Sequence, residues 1–433
     1  MKKQTVMLLV SASLATAALG GCGGKEQTSA EKTEAPAPPK PVTIRYLWNP
    51  AEELFNKTIK EPVEKKYPHI TLQQVRLGSG VTLDSLMLAG EMPDIMRSVS
   101  IYDLIDKDLA EDLKPYISKS GLDTSKFDKV IWEAVNSLYM DAQGHLLALP
   151  PATNFANLYY NKDLFDRFNV PYPKNGMTWD EVWELSKRLT RSDGGTQYYG
   201  LDIQMASVLD YNQLSLPVVD KRTNKATVNS DGWQLWFNTM KRFYESDQKQ
   251  GFFNNAVTDS FLKKRNLGMI AISSLFADLA AQQNSGMNWD VVTLPSFSGR
   301  PNTQIQPWMA PLAIYKNSKN KEEAWRVIEA EASRDIQAHS AKQGSYIILN
   351  DPAMLKSFGE EVPALKGKNV SAIYTNAFAP VASSSTKYDA KAYRLLEAAF
   401  KDVVVKGTDV NTALRQADEA INKMIDEQLK AQK

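Results

Sequence analysis

The chain has 433 residues, with 51 Lys plus Arg against 50 Asp plus Glu and three His, a formal net charge of +1 at pH 7. So even a balance excludes the basic stripe of a nucleic-acid binder and the acidic field that would draw a cationic partner. A single cysteine, Cys22, excludes an intramolecular disulfide and a thiolate metal site.

Lys2 and Lys3 precede an apolar run from Val6 to Leu19, which closes on Gly20-Gly21-Cys22. A short basic head, an apolar segment of that length and small residues at its end predict a secretory signal over 1–21, too short to span a membrane. Residues 23–41 hold no large apolar residue and are rich in Gly, Pro and charge. Such a segment buries too little surface to offset its ordering entropy, so 22–41 is expected to be a disordered tether beginning at Cys22. The remainder is too long for one core and natural for two lobes.

The folded part opens with Val42 to Trp48, a β-prone strand ended by Asn49-Pro50. A helix is predicted from Ala51 to about Tyr67, a strand over Ile70–Val75, a helix over Thr82–Ala89 behind Gly78-Ser79-Gly80, and a strand at Pro93–Met96. Strands alternating with helices of this length predict a mainly parallel sheet wound on both faces, an α/β lobe. Ligands of such sheets sit outside the carboxyl ends of the strands, where Trp48, Asn49, Arg97 and Ser98 fall.

Farther on come a strand-like crossing at Asn157–Tyr160, a short helix over Lys162–Phe168 and a Pro-punctuated loop. The next helix starts at Thr178 with Glu181 three residues on, a capping box, and places Trp179, Val182, Leu185 and Leu189 on one face. Gly200–Gln204, Leu267–Ile272, Val291–Pro295 and Leu312–Ile314 read as strands. Residues 230–245 read as a helix burying Trp233, Trp236, Phe237 and Met240, and Lys321 to about Ala338 as one burying Trp325 and Ile328. From near Asn411, Leu414, Ala417, Ile421 and Ile425 make the apolar stripe of a final helix.

Catalytic equipment is sparse. His69, His145 and His339 stand beside no plausible nucleophile and in no His-x-x-x-His spacing, and no phosphate-binding loop follows a strand. Gly78-Ser79-Gly80 is an anion cradle or a plain turn. Asp202, Asp210 and Asp278 could face a cleft, but among fifty acidic residues the sequence selects no catalytic pair. No enzyme, cofactor or metal is predicted.

Aromatic residues punctuate the loops instead: Trp48, Phe155, Trp308, Tyr346, Tyr374 and Phe378. A pyranose offers apolar C–H faces and a ring of hydroxyls, so its binder needs flat aromatic plates beside amide, carboxylate or hydroxyl groups. Trp48-Asn49, Thr153-Asn154-Phe155 and Gln306-Pro307-Trp308 pair the two kinds of group. The candidate ligand residues are Trp48, Asn49, Ser98, Asn154, Phe155, Asp202, Trp308, Tyr374 and Phe378. The competing reading of each aromatic is a place in the core.

Gly90–Ile95, Leu149-Pro150, Tyr159–Phe165, Thr178–Glu181, Phe261–Ile272, Val291–Pro295 with Gly299, and Ser318–Trp325 resemble, in that order, the motifs of family 1 extracellular solute-binding proteins. These sugar-binding receptors of ABC importers include the maltodextrin-binding protein. The resemblance covers nearly all of 42–430. It implies two doubly wound α/β lobes of the type II periplasmic-binding-protein kind, lobe 1 from 42–152 plus 309–349 and lobe 2 from 153–308 plus 350–433. Hinge crossings are expected near 152–156, 306–311 and 349–352, beside the cleft. Ser98 and Asn154 match positions that touch sugar in the family. Leu19-Gly20-Gly21-Cys22 resembles a bacterial lipobox, in which Cys22 is acylated and holds the protein to the outer face of the cell membrane. The implied partners are a carbohydrate, an oligosaccharide above all, and the permease subunits, with the receptor acting as a monomer. The alternatives are a surface-anchored glycoside hydrolase or polysaccharide lyase, a receptor for a polyol, phosphoester or metal chelate, and an adhesion or sensor-partner protein.

Overall fold

Val42–Leu47 forms the expected first strand and pairs in parallel with Ile70–Val75 on one side and Ile95–Arg97 on the other. Leu312–Ile314 returns from far along the chain to close this four-stranded sheet, antiparallel to Ile95–Arg97. The computed structural model describes residues 39–78, 80–245, 257–281, 286–382 and 386–431. The expected leader, Cys22 and nearly all of the tether lie outside them, as does Ser79.

The predicted helix after the first strand is continuous but changes pitch, with α-helical turns at Glu52–Phe55 and Glu61–Lys66 around a π turn at Asn56–Lys60. The wider turn keeps Phe55, Ile59 and Val63, four residues apart, on one buried line against the sheet. The helix expected from Lys321 to about Ala338 instead breaks at Ser333, whose backbone is extended, into Lys321–Ala332 and Arg334–Lys342.

The second sheet has five strands in the order Trp289–Thr293, Ala156–Asn161, Leu267–Ser273, Thr196–Ile203 and Arg191–Asp193. Ala156–Asn161 runs antiparallel to both its neighbours, so this sheet is mixed. The chain enters it from the inter-lobe side, whereas its neighbours run back towards that side. Every residue of Ala156–Asn161 is buried. Ala156, Leu158 and Tyr160 face one apolar cluster and Tyr159 another, the alternation of a strand covered on both faces.

Helix Trp179–Leu189 covers one of those faces. The Glu181 amide donates to the Thr178 hydroxyl at 3.2 Å and the Thr178 amide to the Glu181 carboxylate at 2.7 Å, the capping box expected from the sequence. Its backbone seats directly on the sheet at Gly200, where a Cβ would stand 2.2 Å from the Ser186 carbonyl oxygen. Helices Asp231–Lys241, Asp389–Lys406 and Val410–Ala431 pack on the same side, Phe400 meeting Trp236 and Phe237 edge-on at 5.3 and 5.1 Å. No helix among the described residues is long and apolar enough to cross a membrane.

Between the two sheets a third forms from three short strands, with Ala152–Asn154 in the centre, Trp308–Met309 on one side and Tyr346–Ile347 on the other. The last of these pairs a little ahead of the 349–352 expected for a crossing. Phe155, at the edge of this sheet, lies 5.9 Å from the rings of Phe276, Tyr346 and Phe358, so the core of the first sheet runs unbroken into one face of the second.

Candidate functional site

The strand ends converge. In the second sheet the carboxyl-terminal Ser273 and Thr293 stand opposite Ala156 and Asn157, and in the first Arg97 stands opposite Leu312, all next to the small inter-lobe sheet. Loops leaving strand ends of this kind form the crevice of an α/β lobe.

A cavity of about 350 Å³ opens there. Ile101 and Leu138–Tyr139, from helices Ile101–Asp106 and Lys129–Leu138 and the turn after the second, form one wall. Asp210–Tyr211 and, from helix Asp389–Lys406, Asp389, Tyr393 and Arg394 form the other. Trp308 of the inter-lobe sheet lies between them.

Trp308 is half-buried and stacks flat on Tyr211, ring centroids 5.0 Å apart and planes 17° apart. The loop carrying it is clamped. The Gln306 amide donates to the Tyr211 carbonyl at 3.0 Å, the Gln306 side chain donates to the Asn212 carbonyl at 2.9 Å, and it accepts from the Ala382 amide at 2.6 Å.

Arg394 pairs with Asp210 and also with Glu397. Burial pushes the Asp210 carboxyl up to about 7 against the pull of that guanidinium. Burial likewise pushes Asp389 up to about 6, while the Thr386 amide and hydroxyl, donating to its two oxygens, hold it down. The hydroxyls of Tyr139, Tyr211 and Tyr393 make no hydrogen bond to another described residue, and burial pushes the proton loss of each upward. Flat rings, open hydroxyls and carboxylates on facing walls can hold a polyhydroxylated ring. Among the described residues no group of three or more His, Cys, Asp or Glu is placed to hold a metal ion.

Of the predicted ligand residues, Trp308 lines this cavity. Trp48 is half-buried at its strand end, its ring edge-on to Phe55 and 4.1 Å beneath the Arg97 guanidinium. Asn49 is exposed, its side chain accepting from the Leu77 amide at 2.8 Å. Ser98 is exposed in a left-handed conformation (φ 61°), its amide donating to the Pro311 carbonyl at 3.0 Å. Asn154 is directly opposite Trp308 in the inter-lobe ladder, and Tyr374 is half-buried against the main core.

Three residues sit elsewhere than expected. Phe155 is 2% exposed within its aromatic cluster, and Phe378 is 6% exposed with its ring edge on Tyr346. Asp202 is 8% exposed beside the Tyr244 hydroxyl, 3.3 Å away. Neighbours distant in sequence cover all three. Tyr139, Tyr211, Tyr393 and Arg394 escaped the sequence reading. The one signal for the last two was the spacing of Ala392, Leu396, Phe400 and Val403, which marks their helix.

A family model for bacterial extracellular solute-binding protein matches residues 45–338. An uncharacterized ABC transporter extracellular-binding protein of Pyrococcus horikoshii is 29% identical over 202 residues, 44% of this chain and 44% of that protein, so the match spans under half of the relative's length. Among solved structures, an ABC substrate-binding protein from Listeria monocytogenes in complex with cycloalternan has a TM-score of 0.69 at 17% identity, over 89% of this chain and 99% of that one. UgpB from Mycobacterium tuberculosis in complex with glycerophosphocholine has a TM-score of 0.68 at 14% identity, over 90% and 99%. At these identities the likeness is one of fold, the two-lobed type II periplasmic-binding-protein architecture.

Proposed function

The chain belongs to the bacterial extracellular solute-binding proteins, and on that premise we propose that it captures a sugar or oligosaccharide between its lobes and delivers it to an ABC permease. The observation that carries the reading is the Trp308–Tyr211 stack, an aromatic platform set between walls from both lobes. A sugar ring laid on the indole gives up its apolar face there while its hydroxyls reach the tyrosines and carboxylates around it.

Trp48, Asn49, Ser98 and Asn154, at strand ends beside the same gap, are the groups that would join the ligand when the lobes close. Only contacts stronger in the closed form drive closure. Asp210 pairs with Arg394 through one oxygen, and both oxygens of Asp389 accept from Thr386. Acylation of Cys22, with residues 23–41 as a tether, would hold the receptor on the outer face of the membrane within reach of its permease.

Calorimetric titration of the purified protein against a glycan panel tests the assignment. Saturable binding of a saccharide, weakened by Trp308→Ala, is expected; no saccharide binding, or affinity indifferent to that substitution, overturns it.

A further inference from the structure

We propose that the groove selects its solute by charge, taking an uncharged saccharide and rejecting acidic ones, with Asp389 and Asp210 as the excluding groups. The inference rests on the reading of the groove as a sugar site and adds the class of sugar.

The ionisable side chains on the cavity walls, tyrosines aside, are Asp210, Asp389 and Arg394. The one guanidinium is shared between Asp210 and, just outside the cavity, Glu397. Asp389 has no cationic partner among the described residues, and its two oxygens accept from the Thr386 amide and hydroxyl. It is also the first residue of an 18-residue helix. The positive end of such a helix is where an anionic ligand group would settle, and here the chain's own carboxylate stands there.

A carboxylate or phosphate entering the groove would lose its hydration, find no uncommitted cation and face Asp389 at close range. Desolvating an uncompensated charge and bringing like charges together both oppose binding. An uncharged hydroxyl edge meets the opposite situation. Tyr139, 7% exposed, approaches from the first lobe, and Tyr211 and Tyr393 from the second. Each hydroxyl can donate and accept, and none is engaged with another described residue. Neutral donors and acceptors from both walls suit a neutral polyol.

The test compares the neutral trisaccharides maltotriose, cellotriose and mannotriose with trigalacturonate and glucuronate-bearing oligosaccharides by calorimetry at pH 7.5. The full mature protein is used, as wild type and as the Asp210→Asn/Asp389→Asn double variant. For the wild type, a neutral sugar should bind about a hundredfold or more tighter than the tightest acidic one. In the double variant, with Arg394 released from Asp210, the gap should shrink at least about tenfold. Acidic sugars binding the wild type as tightly as neutral ones overturn the charge proposal and leave the sugar reading standing. So does an undiminished gap in a double variant whose circular-dichroism melt is cooperative. Should that variant fail to fold, the wild-type comparison decides alone. If neither neutral nor acidic saccharides bind, the sugar reading falls and the charge proposal with it.

Discussion

Tyr211 and Trp308, 97 positions apart in the chain, lie ring on ring with centroids 5.0 Å apart and planes 17° apart. Trp308 belongs to the inter-lobe sheet and Tyr211 to a wall of the groove, so the stack ties the wall to the strand that crosses between the lobes. A ligand pressing on the indole therefore meets a surface already held, which spares the entropy of ordering it.

Trp308→Ala should weaken saccharide binding about tenfold or more, equivalent to about 1.4 kcal/mol, because it removes both the stacking face and its buried area. Trp308→Phe keeps an aromatic plate and should cost only a few-fold. Titration calorimetry reads both, and equal losses for the two substitutions would show that ring stacking is not the contact.

Arg97 and Glu331 form an ion pair at 3.4 Å with side chains 10% and 1% exposed, and the Tyr46 hydroxyl donates to Glu331 at 2.9 Å. Burial pushes the Glu331 carboxyl upward, opposed by Arg97 and the Tyr46 hydroxyl. Arg97→Met strands that carboxylate and should destabilise the fold by about 3–5 kcal/mol. Adding Glu331→Gln should recover most of the loss. Urea denaturation at pH 7 measures it, and a loss under about 1 kcal/mol for the single variant would mean the pair is not held as described. Because the same guanidinium covers the Trp48 ring at 4.1 Å, the single variant should also loosen Trp48, visible as a red shift of tryptophan emission.

Burial pushes the Asp202 carboxyl up to about 7, whereas an unfolded aspartate titrates near about 3.9. Between those values the folded protein keeps a proton that the unfolded chain has lost. The stability contributed by this group is complete below about pH 4 and declines as pH rises through about 7, by up to about 4 kcal/mol. Asp202→Asn should flatten that decline. Asp210 and Asp389 are shifted the same way, so a smaller slope should remain. Denaturation midpoints from pH 4 to pH 8 check it, and parallel curves for wild type and variant would refute the protonated Asp202.

Gly200→Ala puts a Cβ 2.2 Å from the Ser186 carbonyl oxygen and 2.5 Å from the Ser186 Cα. Both are backbone atoms of helix Trp179–Leu189, so no side-chain rotation relieves the clash. A loss of about 3 kcal/mol or more is expected, at the upper end for overpacking because a whole helix must shift. A thermal melt unchanged within a degree would contradict this contact.

Segment identities were readable because they depend on spacing within the segment. Thr178 caps, and Glu181 lies in the first turn of, a helix whose Trp179, Val182, Leu185 and Leu189 are all buried. Trp233, Trp236, Phe237 and Met240 are buried on their helix as its stripe required. Where spacing was silent the reading slipped. Nothing local marks the break at Ser333, and the helix Asp389–Lys406 hides its buried face among Lys, Arg, Glu and Asp residues.

The sequence by itself therefore determined most strands of the two large sheets, several helices with their buried faces, and the resemblance to the family, since periodicity, caps and ordered motifs are properties of neighbours along the chain. Tertiary structure alone decided which aromatic residues meet the groove. Phe155 and Trp308 both stand in loop-like, amide-rich contexts. Phe276 and Phe358 arrive from more than a hundred residues away to cover the first, while the second is left with one face on Tyr211 and a cavity beside it. Whether a ring at a strand end is sealed or open depends on what packs over it, and that is set by chain segments its own neighbourhood does not contain.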